Sequence, residues 1–181
     1  DRAEVSVIEA WEGQGGSADD LQVTWPGLGA LVWERRFELI SATVAGGVLK
    51  VVAIGGVSNA LGMINPVEQI AAWAHARDAI VVVDAAQSAP HQRVDVQALG
   101  ADFVAISAHK LCGPSGIGSL WGRAALLQEM RPFLYGGHMI ASVEDDHSTW
   151  AELPHKFEAG TAPMAEAVGF AAAIDYLEAV G

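Results

Sequence analysis

A chain of 181 residues that is 51% hydrophobic, with a mean hydropathy of +0.28, has enough apolar side chain for one cored domain and too much for a disordered tail. Its 22 acidic against 10 basic residues leave a formal charge of −12, which repels a phosphate backbone and argues against a nucleic-acid partner. A single cysteine leaves no internal disulfide framework and no thiolate zinc site, and no apolar run approaches the roughly 20 residues that span a bilayer, so a cytoplasmic protein without a membrane partner is expected.

Residues 1–46 have weak periodicity, glycines at 13–16 and 27–29 and tryptophans at 11, 25 and 33, and no element is assigned there. From Val48 to Ile54 the chain is β-branched and almost wholly apolar before it breaks at Gly55-Gly56, which predicts a buried strand. Asn65-Pro66 supplies a cap and a first-turn proline, and Val67, Ile70, Ala71 and Ala74 recur at helical spacing towards Asp78. Ile80 to Val83 is a second apolar β-branched run, closed by Asp84, and Asp102 to Ser107 repeats the design. Ile117 to Trp121 predicts a further strand and Ala124 to Met130 a short helix. Residues 134–160, with Gly136-Gly137 and Pro154, read as a long loop with short extended pieces, and Ala165 to Val180 as a helix closed at Gly181. This alternation predicts an α/β fold with a mainly parallel sheet covered by helices. The chain begins at Asp1 without a methionine and stops as a helical pattern finishes, so a piece of something longer is expected.

Three polar groups stand at predicted strand ends, where open α/β folds bind ligands. Asp84 is a carboxylate at such a lip, with Gln87 three residues on; taken singly, they also suit a capping aspartate and an ordinary loop amide. Ser107-Ala108-His109-Lys110 follows the next strand. A lone His-Lys pair fits a solvated basic turn, but serine, histidine and lysine opposite an aspartate supply other chemistry. An amine can meet an aldehyde, a carboxylate can meet a pyridinium nitrogen, and hydroxyl and N–H donors can meet a phosphate. The remaining histidines, at 75, 91, 138, 147 and 155, lack the spacing of a zinc enzyme, and Glu144-Asp145-Asp146 lacks the pattern of a calcium loop. No metal site is expected.

The stretches Val83-Asp84-Ala85-Ala86-Gln87-Ser88, Val94-Asp95-Val96-Gln97 and Ser107-Ala108-His109-Lys110-Leu111-Cys112-Gly113-Pro114-Ser115-Gly116-Ile117-Gly118 resemble the class V aminotransferase superfamily of fold-type I pyridoxal-phosphate (PLP) enzymes. The likeness is strongest to its cysteine desulfurases of the iron–sulfur assembly group. Val57-Ser58-Asn59-Ala60-Leu61-Gly62 and Phe157-Glu158-Ala159-Gly160-Thr161 are similar to two further family motifs, in the right order, so that residues 48–181 carry the likeness and 1–46 match poorly.

The resemblance implies the PLP-binding large domain, truncated at both ends, with the C-terminal small domain absent. Lys110 would bond covalently to the cofactor, Asp84 would pair with the pyridine nitrogen, and Gln87 would meet the phenolic oxygen. Ser107 and His109 would grip the phosphate, with His109 counted beside Lys110 and Asp84 in the catalytic group. Asn59 would lie beside cofactor and substrate, and Thr161 would reach the phosphate of a second subunit in a homodimer. The implied substrate is L-cysteine, giving L-alanine and a persulfide that passes to a sulfur-acceptor protein. Two departures stand out. Cys112 lies beside the lysine, not on the family's later sulfur-accepting loop, and is expected to be a small packing residue. Gly55-Gly56 stands where the family usually has a polar residue or histidine. The isolated segment is therefore expected to be inactive. Alternatives are another class V activity (a kynureninase-like hydrolase, a lyase or an aminotransferase) or a non-catalytic remnant of the fold; the His109-Lys110 pair and Gly136-Gly137-His138-Met139-Ile140 favour the desulfurase.

Overall fold

The computed structural model describes residues 48–181, together with the backbone of residues 3–5 and 39–45. The glycines at 13–16 and 27–29 and the tryptophans at 11, 25 and 33 lie outside the described residues. In chain order the main elements are β1 (Ala3–Val5), β2 (Leu39–Ala45), β3 (Val48–Gly55), α1 (Val67–His75), β4 (Ile80–Asp84), β5 (Phe103–Ser107), β6 (Gly118–Gly122), α2 (Ala124–Glu129), β7 (Ile140–Val143), β8 (Ser148–Trp150) and α3 (Met164–Val180). Single 3-10 turns form at Ala108–Lys110 and His155–Phe157.

Strands β1 to β6 form one sheet in sequence order. It is mixed. The pairs β3–β4 and β4–β5 are parallel, as the strand–helix–strand pattern predicts, while β1–β2, β2–β3 and β5–β6 are antiparallel. The ten residues between Ser107 and Gly118 account for the last pair, because a parallel return needs a crossover of a dozen residues or more. Gly118 lets β6 come close: a Cβ there would lie 2.5 Å from the Ile106 carbonyl oxygen, so any other residue would push the two strands apart.

The apolar runs of β3 and β4 place Val52, Ile54, Val81 and Val83 out of contact with solvent, and α1 lays Val67, Ile70, Ala71 and Ala74 against them. This spacing of three and four residues is one helical stripe. Each large aliphatic side chain buried this way contributes roughly 1.5–3 kcal/mol. The start of α1 differs from the sequence expectation. Pro66 takes the cap position without a side-chain hydrogen bond, and the Asn65 amide is instead turned back to donate to the Gly55 carbonyl at 2.6 Å. A second apolar cluster joins Ala108, Leu111 and Phe170, with Ile106, Ile117 and Leu177 at its margin, and so fixes the turn after β5 to α3. Residues 140–150 close into the β7–β8 hairpin, the extended piece expected in the long loop.

At the amino-terminal ends of the parallel strands, the buried Asp102 carboxylate accepts hydrogen bonds from the Val81 N–H and His75 Nε2, both at 2.8 Å, and pairs with Arg123 Nε at 2.8 Å. It ties the end of α1, the start of β4 and the start of α2 together. The sequence gives no sign that His75 has this partner 27 residues away.

Candidate active site

The carboxyl ends of β3, β4 and β5 point the other way. Asp84, the last residue of β4, is exposed, and its Oδ1 accepts the Ala86 N–H at 2.8 Å. This short turn fixes the carboxylate and directs the chain to Gln87. The Gly56 N–H donates to the Asp84 carbonyl at 2.8 Å, and the Ala85 N–H to Ala105, so the ends of all three strands are knitted together. Gly56 is required by closeness: a Cβ would sit 2.6 Å from Ser88 Oγ.

Beyond β3 the chain makes a closed loop from Gly56 to Asn65. Val57 bridges to Ile64, the Ser58 N–H donates to the Met63 carbonyl at 2.8 Å, and Ser58 Oγ accepts the Leu61 N–H at 3.2 Å. Asn59 stands at the tip, where its Oδ1 accepts from Gln87 Nε2. On the far side, the 3-10 turn Ala108–Lys110 is anchored by the burial of Ala108 and Leu111, which leaves the alternate position, Lys110, half-buried and turned to the cleft.

A cleft of about 160 Å³ is lined by Gly55, Val57, Ser58, Asn59, Asp84, Gln87 and Lys110. It brings together four of the residues singled out in the sequence. Gly55, Val57 and Ser58 were given no site role there, although Val57 and Ser58 belong to the motif that carries Asn59 and Gly55 marks the break after the apolar strand. Ser107, half-buried at the end of β5, and His109, exposed in the turn, flank Lys110 in the chain without lining the cleft. Thr161 is exposed in the loop before α3, also away from it. Cys112 corrects an expectation: it is exposed, with φ of +60°, and Leu111 takes the inward position, so Cys112 is not a packing residue. A larger cleft of about 320 Å³ opens beside the first turn of α1, over Val83, Ser88, Arg93 and Leu99. The amine of Lys110 and the carboxylate of Asp84, both at strand ends, line the smaller cleft and not this one.

Comparison with known proteins places this geometry. The family model described as aminotransferase class V matches residues 30–181. Among curated relatives, the cysteine desulfurase of Haloferax volcanii is 51% identical over 153 residues, covering 84% of this chain and 35% of its own. Among solved structures, the apo cysteine desulfurase of Thermococcus onnurineus NA1 has a TM-score of 0.70 at 47% identity, over 73% of this chain and 33% of that one. A variant of C-DES, a cystine C–S lyase, whose structure holds glycine covalently linked to its PLP cofactor, has a TM-score of 0.66 at 28% identity, over 73% of this chain and 36% of that one. The chain spans about a third of the length of the curated relatives it matches.

Proposed function

From the premise that this chain belongs to the class V aminotransferase family, we propose that it is part of the cofactor-binding domain of a PLP-dependent cysteine desulfurase. The observation that carries the reading is the cleft that Lys110 and Asp84 line together with Asn59 and Gln87. The donor set fits PLP: an amine for the aldehyde, a carboxylate for the ring nitrogen, an amide N–H for the phenolic oxygen, and Ser107 and His109 next to the lysine for the phosphate. When bound, PLP supplies an electron sink for bonds at the substrate α-carbon.

The protein's own groups divide the remaining work. Asp84 has one oxygen engaged by Ala86, which leaves the other to hold the proton on the ring nitrogen. Gln87 Nε2 spends one N–H on Asn59 and keeps a second for the cofactor oxygen. Lys110 Nζ would hold the cofactor aldehyde and, when free, would serve as the base that takes the proton from the α-carbon of L-cysteine. A thiolate attacks the substrate sulfur, the C–S bond breaks, a proton replaces sulfur on the side-chain carbon, and alanine and a persulfide result. We assign that thiolate to a cysteine other than Cys112, which follows the lysine turn. Thr161, away from the cleft, is assigned to the phosphate of a second subunit, which makes the working form a homodimer. A sulfur-acceptor protein and a cytoplasmic role in iron–sulfur assembly complete the proposal; no helix among the described residues is long and apolar enough to cross a membrane.

A C–S lyase is the second reading, favoured by the likeness to C-DES at 28% identity, against 47% and 51% for the desulfurases. The test is an absorbance spectrum after incubation with PLP and dialysis, then borohydride reduction and mass mapping. A stable yellow protein labelled on Lys110 is expected; colour with the label on another lysine would overturn the assignment. In a longer protein that supplies the accepting thiolate, alanine from L-cysteine against cysteine persulfide from cystine then separates the two activities.

A further inference from the structure

The loop that carries Asn59 is held by a residue that does not itself line the cleft. Asn65 is buried, 4% exposed, and lines the larger cleft and not the smaller one. Its Nδ2 donates to the carbonyl of Gly55, a residue of the smaller cleft's wall, at 2.6 Å, and its backbone N–H donates to Gly56 at 3.0 Å. These two bonds close the neck of the Gly56–Asn65 loop. Above the neck, among the described residues, the Val57–Ile64 bridge and the Ser58 bonds shape the loop, and its tip from Asn59 to Gly62 is exposed. The tip's one side-chain bond to the rest of the protein among the described residues is Asn59 to Gln87. An exposed amide pair competes with water, so its geometry depends on how firmly both backbones are held. Gln87 is held by the turn at Asp84; Asn59 is held from the neck.

We propose that Asn65 is a positioning residue, whose side-chain bond to Gly55 sets where Asn59 meets Gln87 and so orients the Gln87 amide towards the cofactor oxygen. The inference rests on the reading of the cleft as the PLP site. Asn65→Asp tests it with little change in shape. The carboxylate cannot donate to the Gly55 carbonyl, and it opposes that oxygen instead of binding it. Val81→Ala, a fully buried core position of β4 remote from the loop, serves as a control for lost stability alone.

Two readouts are taken on protein shown to be folded by circular dichroism. In the absence of PLP, the Gln87 side-chain NH₂ resonances should shift towards free-amide values in Asn65→Asp and stay put in Val81→Ala. With PLP, Asn65→Asp should weaken cofactor binding about tenfold, the scale of one lost hydrogen bond, and move the absorption maximum, with the control unchanged. Unchanged Gln87 resonances in Asn65→Asp would overturn the proposal, as would equal effects in the two variants. If Asn65→Asp does not fold, Asn65→Gln takes its place: the longer side chain keeps the donor but displaces it, and the same resonances decide. Failure of the wild-type protein to bind PLP would sink the functional reading while the cofactor-free resonances still judged the clamp.

Discussion

Replacing Asp102 separates two roles that one carboxylate plays in the frame beneath the site. In Asp102→Ala the Val81 N–H, wholly buried, loses its only side-chain acceptor among the described residues, and an unsatisfied buried donor costs about 1–3 kcal/mol. The two side-chain partners matter less. The side chains of His75 and Arg123 are 37% and 50% exposed, so each is rehydrated when the carboxylate goes, and each pair is worth about 0.2–1 kcal/mol. The total is about 1.5–5 kcal/mol, of which the unsatisfied donor carries the larger part. Asp102→Asn keeps an oxygen for Val81 and loses the charge together with the acceptor that faces Arg123, so it should cost about 1 kcal/mol. Urea denaturation at pH 7 followed by circular dichroism measures both, with the slope unchanged if the unfolded state is the same. Should the asparagine variant lose as much as the alanine variant, the charge and not the acceptor would be what holds β4, and the reasoning fails. PLP binding should be the same in both, since Asp102 lies at the opposite ends of the strands from the cleft.

Asp84→Asn retains an oxygen for the Ala86 N–H, so stability should change by less than about 0.5 kcal/mol while the spectrum of bound PLP shifts and turnover of an active parent falls; an unchanged rate at the substrate α-carbon would remove Asp84 from the mechanism. Phe170→Ala should cost about 3 kcal/mol, the low end for a phenylalanine because its cluster has only three buried members, and should speed proteolysis near the Lys110 turn that Ala108 and Leu111 anchor; cleavage confined to α3 would show that the turn holds without it. Asp95 accepts the N–H groups of Ala98 and Gln97, which lower its pKa in the folded state below the ordinary 3.8. A depressed carboxyl contributes stability above 3.8 that is lost as pH falls through the folded-state value, so Asp95→Asn should flatten the acid limb of the stability curve below about pH 4, and identical limbs would show that this turn does not matter.

What was legible in the sequence was legible for a physical reason. The ends of β4 and β5 stand out because a buried parallel strand is a nearly unbroken apolar run, so the first polar residue after it, Asp84 or Ser107, marks the lip of the sheet. The residues of α1 that face the core stand out because their spacing has the helical period. Contacts across the chain leave no such mark. Asn59 and Gln87 are 28 residues apart and sit in loops, where side-chain direction follows from turn geometry and not from a period; Asp102 and His75, at a strand start and a helix end, are 27 apart and leave no mark on each other in the sequence. Asn65 shows how a local rule is overridden. An asparagine before a proline and an amphipathic run reads as a helix cap, yet the Gly55 carbonyl at the end of β3 offers its amide a partner close at hand, and the helix starts without a side-chain cap. The antiparallel β6 is the one long-range feature that chain length alone could have supplied, since ten residues are too few for a crossover and enough for the lysine turn and a reversal. That constraint also bears on the chemistry: because β6 must turn back directly, the segment from Ala108 to Ile117 is kept short and close to the sheet edge, and the amine of Lys110 is held over the same strand ends that carry Asp84.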